Sequence, residues 1–261
     1  MSKIHQITNL KFISINKLLR LFILTLISCG TADENDVSIV KELNSGKIYF
    51  ENNICKCPDA SVGDSDIIDG RTYTAVDNST ITARLESGNV DLCTTLVTDM
   101  SGSASPFQNF FNSNSFNSKI SHWDVSNVID MDGMFFNASS FNQDIGIWDV
   151  SKVTNMGSIF KNASSFNQNL ESWDTSNVTK MLDMFRNAIA FNQNLENWNT
   201  SNVISMERMF LDASTFNQDL SKWCVSNFSS EPSEFALNSS LTTANKPVWG
   251  LVIKPQAYHL Q

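Results

Sequence analysis

A repeated unit runs along the middle of the chain, and its constant period constrains the fold more than any other feature. The stretches "FNSKISHWDVSNVIDM", "FNQDIGIWDVSKVTNM", "FNQNLESWDTSNVTKM" and "FNQNLENWNTSNVISM" begin at positions 116, 141, 166 and 191, a constant step of 25 with no insertion between them. Equivalent residues of such copies occupy equivalent places in one stacked object, in which each copy buries its apolar face mainly against its neighbours. The positions that keep the step include a tryptophan ladder: Trp123, Trp148, Trp173, Trp198 and Trp223.

Each copy combines a strand-like pattern with a helix-like pattern. In "WDVSNVIDM" apolar and polar residues alternate with one slip, which favours a short strand. In "MDGMFFNAS", Met131, Met134, Phe135 and Ala138 fall at i, i+3, i+4 and i+7, which favours a helical turn. A helix is ~10 Å across and stacked strands are ~4.8 Å apart, so the stack should curve with its strands on the concave face. The sequence therefore predicts an α/β repeat solenoid, right-handed, with a short strand and a helical turn in every copy.

The sequence on either side of the repeats differs from that of the repeats themselves. Residues 30–46 are polar and acidic and suit a flexible tether. Residues 47–96 predict a small α+β cap, in which "KIYFENNICKC" and "RTYTAVD" are short strands, "STITARLES" is a short helix and "GDSDIIDG" is a turn. The repeat array covers residues 97–240, and residues 241–261 form a C-terminal cap or tail.

The array itself has irregular ends, as a stacked core that must be shielded requires. It opens on a degenerate turn at "VTDM", which is followed by six inserted residues around Pro106. After Trp223 the Met-Phe-Ala half of the unit is lost. Full copies start near residues 116, 141, 166, 191 and 216.

Residues 1–29 indicate export. A basic stretch ending in "NKLLR" precedes the apolar run "LFILTLIS", which is too short to span a bilayer as a permanent helix. The run "LISC" resembles the lipobox of bacterial lipoproteins, in which Cys29 would become the lipid-bearing first residue. An ordinary secretory signal with a fortuitous cysteine is the alternative. A lipid at Cys29 would place the protein in the cell envelope, at the outer membrane or cell surface, without a transmembrane segment.

Charge argues against several classes of partner. The chain carries 18 basic and 27 acidic residues, and four of the basic residues lie within the export signal. The remaining sequence has no basic stripe that could neutralise phosphates. This acidic balance argues against nucleic acid and against anionic lipid surfaces.

Four cysteines remain once Cys29 is set aside. An even count in an exported chain favours disulfides, and the spacing in "CKC" is a poor metal pair because two residues usually separate such ligands. We expect Cys57 and Cys93 to form a bridge, and the pairing of Cys55 and Cys224 stays open. Neither a metal nor a cofactor is expected.

Three acids in "GDSDIIDG" raise the question of calcium. Asp64, Asp66 and Asp69 lack the spacing and the twelfth-position glutamate of an EF-hand loop. We interpret the segment as a turn, with weak calcium binding as the alternative.

The repeats also carry a family resemblance. The pattern "FNQDIGIWDVSKVTNMGSIFKNASSFNQ" resembles the BspA-like leucine-rich-repeat surface proteins of bacteria, and "CPDASVGDSDIIDGRTYTAVD" resembles the module that often precedes such repeats. The resemblance covers about residues 50–250 and implies a leucine-rich-repeat-like stack, displayed on the surface or anchored by lipid, that serves adhesion and protein binding. It offers no catalytic residues to carry over. The chain departs from the pattern at "PVWGLVIKPQAYHLQ", which lacks the cysteine that similar sequences place just after "WG".

Repeated residues and varying residues should serve different purposes. The tryptophan ladder could stack on sugars, but a ladder of large apolar residues is what a stacked core needs. The Asn-Gln pairs and the acid after each Trp favour hydrogen bonds along the array rather than catalysis. Only the positions that differ between copies are then available to recognise a partner. The candidate binding face comprises Lys119, His122, Asp144, Lys180, Asp183, Arg208 and Lys222.

The function that these observations favour is a lipid-anchored surface protein that binds extracellular protein or glycan partners. A polysaccharide-acting enzyme is the alternative, because such enzymes place carboxylates along a groove of stacked strands. An off-period cluster of acids and bases on one face would favour the enzyme, and the sequence shows none. We therefore expect no enzymatic activity.

Overall fold

The computed structural model of the protein describes residues 46–102 and 114–250. The export signal with Cys29, nearly all of the tether, the insertion around Pro106 and the end of the C-terminal tail lie outside these residues. The described residues contain the cap, the copies from residue 114 onward and the segment that follows them.

Two antiparallel hairpins open the cap. The turn of the first hairpin is Asn52-Asn53 and that of the second is Asp69-Gly70, and all four residues have a positive φ. Two-residue hairpin turns need this left-handed backbone, which Asn, Asp and Gly adopt most readily. The strands are β1 (Tyr49–Glu51), β2 (Ile54–Lys56), β3 (Ser65–Ile68) and β4 (Arg71–Asp77).

A short helix joins β4 to a parallel neighbour. Helix α1 (Ile81–Glu86) follows β4, and strand β5 (Leu92–Leu96) then returns beside β4, so that the sheet order is β3-β4-β5. A parallel pair cannot be closed by a tight turn and needs a crossover of this kind. Ile81 and Leu85 of α1 are fully buried in the same apolar core as Trp123 of the first full copy. The cap therefore covers the first end of the repeats.

Successive copies lie directly on one another. Single parallel bridges join Asp130 to Asn155, Asn155 to Lys180, and Lys180 to Ser205. The bridge before these joins Asp99 to Asp130, across one period plus the six inserted residues. Each copy thus meets the next at the equivalent residue.

The segment predicted to be helical forms two β-turns instead. In Met131–Met134 and in Phe135–Ala138 the N–H of the fourth residue donates to the carbonyl of the first, at 3.1 Å in both turns. The third residue of each turn has a positive φ, +61° at Asn137 and +65° at Gly133. An α-helix of L-residues does not tolerate this backbone. Every second N–H from Met131 to Asn137 donates to a carbonyl of the next copy, not to one four residues back in its own copy.

The expected fold class, an α/β solenoid with a helical turn in every copy, is therefore wrong. In the part of the chain that the structure describes, regular structure is mostly short strands in small sheets, and helix is confined to α1 and a 3-10 turn at Thr243–Asn245. The predicted curvature of the stack was derived from the width of a helix in every copy. Without that helix, the prediction has no support. No helix among the described residues is long and apolar enough to cross a membrane.

Aromatic rings fill the core of the repeats as stacked columns. The ring centroid of Phe160 lies 5.7 Å from that of Phe135 and 5.5 Å from that of Phe185, and the rings are within 15° of parallel. Trp173 and Trp198 stack in the same way, with centroids 6.3 Å apart. Burying a large aromatic side chain stabilises a fold by roughly 2–3 kcal/mol, so these columns are a main source of stability.

The unit continues past Trp223 with one extra residue. The Phe210 N–H donates to the carbonyl of Phe235 at 2.8 Å, and the Phe235 N–H closes a turn on the carbonyl of Pro232 at 3.1 Å. The half-copy that was predicted to be lost thus keeps a backbone turn without its methionines. Trp249 packs edge-on against Phe235, with ring centroids 5.0 Å apart, and covers this end of the core.

Candidate functional site

Polar residues that keep the 25-residue step bond from one copy to the next. Asn142 Oδ1 accepts hydrogen bonds from the Asn167 N–H (3.0 Å) and from Gln168 Nε2 (2.8 Å). Asn162 Nδ2 donates to Asn137 Oδ1 at 2.6 Å. These side chains connect neighbouring copies. Because they are the same from copy to copy, they do not provide a varying surface for recognition.

The acid after each Trp also serves the backbone. Asp149, Asp174 and Asn199 each accept a hydrogen bond from the N–H two residues further on, at 3.0–3.1 Å. Asn199 makes the same bond without a charge. What the position supplies is a hydrogen-bond acceptor, and one oxygen of each side chain is already engaged.

All five tryptophans of the ladder are buried, between 0 and 4 % exposed. The indole Nε1 of Trp173 donates to the Ile145 carbonyl at 3.2 Å, and Trp198 and Trp223 make the same bond one and two copies further on. A sugar therefore has no ring face of the ladder to stack on.

Asp124 ties the cap to the first full copy. It is 2 % exposed, and its carboxylate accepts hydrogen bonds from Lys56 Nζ (2.9 Å), Thr95 Oγ1 (2.7 Å) and Ser126 Oγ (2.7 Å). Burial alone would raise the pKa of Asp124, but the hydrogen bonds from Lys56, Ser126 and Thr95 hold it below its ordinary value. The protein itself compensates this buried charge. Asp124 therefore has a structural role at the contact between the cap and the first full copy.

His122, which was predicted to be part of the candidate binding face, lies at the same contact between the cap and the first full copy and is partly covered by the cap. A ring nitrogen lies 3.2 Å from the Val90 carbonyl, and the ring packs 5.6 Å from Tyr73 and 6.3 Å from Phe50, measured between centroids. Burial lowers the pKa of His122, against the opposing effects of the Asp91 carboxylate and the Val90 carbonyl. The position is exposed at Asn197 in a later copy, but the cap covers it in the first.

The disulfide joins Cys55 to Cys93. The predicted bridge between Cys57 and Cys93 is therefore wrong. Cys55 on β2 and Cys93 on β5 have their Cα atoms 5.2 Å apart, which is within the range that a disulfide needs. Cys57 lies two residues further along, where its N–H donates to Thr95 Oγ1 at 3.0 Å, and burial raises the pKa of its thiol. Cys224 is an exposed thiol that pairs with none of the described cysteines.

The three acids of "GDSDIIDG", for which weak calcium binding was the alternative to a turn, do not converge. Asp66 lies on strand β3, Asp69 lies in the hairpin turn, and Asp64 pairs with Lys47 Nζ at 2.8 Å. The described residues contain no group of three or more His, Cys, Asp or Glu side chains that could hold a metal ion.

One cluster breaks the period of the repeats. Asp183 is buried, and three cationic side chains from three consecutive copies surround its carboxylate. Lys161 Nζ lies 3.0 Å from Oδ2, Arg208 Nε lies 2.9 Å from Oδ1, and Arg186 Nη1 lies 3.7 Å from Oδ1. We call these four residues the Asp183 cluster. One carboxylate meets three cations, so the cluster taken alone is positive.

The turn backbone positions this cluster. Asp183 and Arg208 are third residues of β-turns with φ of +56°, and Ser158 occupies the equivalent place one copy earlier. Side chains at this position lie next to each other on adjacent copies, and Arg208 thereby contacts Asp183. Burial would raise the pKa of Asp183, but hydrogen bonds from Arg208 and Lys161 hold it below its ordinary value. The carboxylate therefore stays ionised and keeps the cations close.

The cluster only partly overlaps the candidate binding face. Asp183 and Arg208 were predicted from the sequence, whereas Lys161 and Arg186 were missed. Their position reads Phe136, Lys161, Arg186 and Leu211 in successive copies, so its variation was a usable signal. Four other predicted residues are exposed and lie outside the cluster: Lys119, Asp144, Lys180 and Lys222.

A pocket of about 460 Å³ lies in the cap between β4 and α1. Its lining includes Val76, Ala83 and Ser87, and Arg84 is its charged residue. It lacks the several convergent charged groups that the Asp183 cluster offers.

Comparison with known proteins gives a family and no activity. The model of a family described as "Mycoplasma protein of unknown function, DUF285" matches residues 85–181 and residues 145–247, which together span more than half of the chain. No curated protein and no solved structure matches the chain.

Proposed function

Because the chain belongs to the DUF285 family of Mycoplasma proteins of unknown function, which brings no activity with it, we propose a function from the site itself. The protein is a lipid-anchored binding module of a bacterial cell surface, and it recognises extracellular protein or glycan through residues that vary between copies. Its repeats resemble those of the BspA-like surface proteins, and this resemblance supports the same function.

The Asp183 cluster is the observation that carries the proposal. Residues that keep the 25-residue step are occupied in the core or in ladders between copies. The cluster is built from residues that do not keep the step, and Arg186 and Arg208 are each about one-third exposed in their side chains. A partner can therefore reach charged groups that lie outside the aromatic core and the ladders between copies.

The cluster does not support the alternative of a polysaccharide-acting enzyme. Glycoside hydrolysis by the usual route needs two carboxyl groups, roughly 5–9.5 Å apart, one of which must be able to give up a proton. Asp183 is one carboxylate, and its ion pairs hold its pKa low, so it is a poor proton donor. The geometry favours binding over hydrolysis.

Attachment to the membrane is a separate part of the proposal and has its own test. Metabolic labelling with a palmitate analogue should mark the wild-type protein in the membrane fraction, and Cys29→Ala should abolish the label. A soluble, unlabelled wild type would show an ordinary secretory signal and a released protein.

Binding through varying residues is tested by exchanging them between the second and fourth copies. The exchange leaves composition and net charge unchanged, and thermal unfolding shows whether the exchanged protein still folds without the contact of Arg208 with Asp183. Retention of partners from host, mucus and environmental polysaccharide fractions should change, and unchanged retention would contradict the proposal. The exchanged pairs are Asp144 with Asn194, Ile147 with Asn197, Asn155 with Ser205, and Ser158 with Arg208.

A further inference from the structure

Arg186 has donors that the fold leaves unused. Its Nη1 lies 3.7 Å from Asp183 Oδ1, beyond ordinary hydrogen-bond reach, and its Nε is buried without a hydrogen-bond partner among the described residues. A guanidinium carries five N–H donors arranged in a planar fork. The side chain is about one-third exposed, so its two terminal nitrogens, unlike the buried Nε, are the donors that remain for a ligand.

Lys161 lies beside Arg186 on the adjacent copy. Its ammonium bonds Asp183 Oδ2 at 3.0 Å and lies 5.5 Å from the ring centroid of Phe136, so it is held from two sides. Two cations one copy apart repel each other, and Asp183 between them offsets that repulsion. Asp183 is therefore a positioning residue for a pair of cations.

The positive charge of Arg208 is offset by more carboxylates than the charges of Lys161 and Arg186. Arg208 makes the closest contacts to Asp183, through Nε and Nη2, and it also lies in the fields of Glu234 and Glu207. Arg208 is consequently neutralised within the protein. The positive charge that remains available is that of Lys161 and Arg186.

The columns beside these two cations are rich in amides and hydroxyls. A protein partner would favour a face with a large apolar centre, as protein interfaces have, but Ile189 is the one large exposed apolar side chain in these columns. Polar, shallow surroundings match a hydroxyl-rich chain better. The two columns consist of Asn137, Asn162, Asn187 and Asp212, and of Ser139, Ser164, Ile189 and Ser214.

We propose that Lys161 and Arg186, held by Asp183, form a binding site for the carboxylate or sulfate groups of an acidic glycan. The site rests on the binding function proposed above and names its ligand class. A planar guanidinium fork suits bidentate contact with an oxyanion, and the neighbouring ammonium adds a second charge-assisted bond. The whole chain has a net charge of −9 and would repel a polyanion, so retention must come from a local site.

The test uses the full chain on immobilised sulfated dextran, polygalacturonate, neutral dextran and polyglutamate, in about 0.1 M salt so that long-range repulsion is screened. The wild type should be retained on one of the two acidic glycans and should pass through neutral dextran. Arg186→Gln should weaken retention about tenfold or more, and Arg186→Lys should restore only part of it, because Lys lacks the fork. Lys161→Gln is the second variant, and thermal unfolding shows that each variant is folded.

Lys152→Gln is the matched control, because it removes one positive charge from an exposed side chain that bonds Asn127 Oδ1 on another column. It should leave retention unchanged. Equal retention of wild type and both cluster variants, or passage of the wild type through both acidic glycans, would overturn the site. Retention on polyglutamate as strong as on the glycans would overturn the glycan assignment. Partners from the fractions above that are held independently of Arg186 and Lys161 would contradict this inference while leaving the binding function standing.

Discussion

Asp183 differs from the other aspartates of the repeats in its surroundings. Asp149 and Asp174 are exposed and bond to their own turns, whereas Asp183 is 4 % exposed and bonds to cations of the copies before and after it. A buried carboxylate is costly unless it is paired, so the cations stabilise Asp183 as much as Asp183 positions them.

Asp183→Asn should therefore destabilise the protein by about 1–3 kcal/mol, because it leaves three cations without their counter-charge. Asn tolerates the positive φ of this turn as well as Asp does, so the change isolates the charge. Because the folded pKa of Asp183 is lowered, its contribution is fully present above the ordinary pKa of about 4 and is lost as the pH falls through the folded pKa. Urea unfolding at several pH values measures this.

The matched control is Asp174→Asn, which makes the same change at an exposed position where the next copy already carries Asn199. It should alter stability by less than about 0.5 kcal/mol. Equal losses for the two variants would mean that Asp183 has no special place in the stack.

Trp173 should behave as a core residue. It is 3 % exposed and stacks on Trp198, and Trp173→Ala should cost roughly 3–5 kcal/mol. Tryptophan emission of the wild type should be blue-shifted and poorly quenched by iodide. Free quenching would instead indicate exposed rings and a sugar-stacking face.

The β-turns are the element that decides the shape of each copy. Asn162 has a φ of +64°, and its amide donates to Asn137 while its side-chain oxygen accepts from Asn187 Nδ2 at 2.8 Å. Two contributions, a permissive backbone and a side-chain ladder, thus meet in one residue.

Two substitutions separate these contributions. Asn162→Gly keeps the permissive backbone and loses the ladder, whereas Asn162→Ala loses both. Ala should therefore be less stable than Gly by about 1 kcal/mol, measured by chemical unfolding. A helix at this place would give the opposite order, because Ala is the better helix former.

The cap depends on its disulfide. Cys55→Ser should remove the bridge and lower stability by about 3–4 kcal/mol, the amount expected for a closed loop of 38 residues. Cys57→Ser should leave the bridge intact, as peptide mapping under non-reducing conditions would show. A Cys57–Cys93 peptide from the wild type would contradict the pairing described above.

Sequence alone could identify the elements only in part. The 25-residue step predicted stacked aromatic columns, since identical residues at a constant step must meet their own copies. It could not tell a helix from two β-turns, because both place Met131, Met134, Phe135 and Ala138 on one side. Asn and Gly at the third turn positions pointed to the turns, since these residues adopt a positive φ most readily.

At the scale of the whole molecule, the Asp183 cluster was harder to predict from the sequence than the stacking of the copies. Comparing copies located varying positions, and two cluster members, Asp183 and Arg208, came from that comparison. Lys161 and Arg186 enter the site because neighbouring copies bring them to Asp183, and that requires knowing which turn residues face outward. His122 varies in the same way, yet the cap partly covers it, which no repeat comparison could show.

Binding through the Asp183 cluster is tested most directly by chemical footprinting of the full chain with and without a retained acidic glycan. Lysines are acetylated, arginines are modified with phenylglyoxal, and the modified positions are read by mass spectrometry. Lys161 and Arg186 should lose their labelling when the glycan is bound, while the exposed Lys152 and Lys222 keep theirs. Protection of Lys152 or Lys222, with Lys161 and Arg186 labelled as before, would contradict this account of where the protein binds.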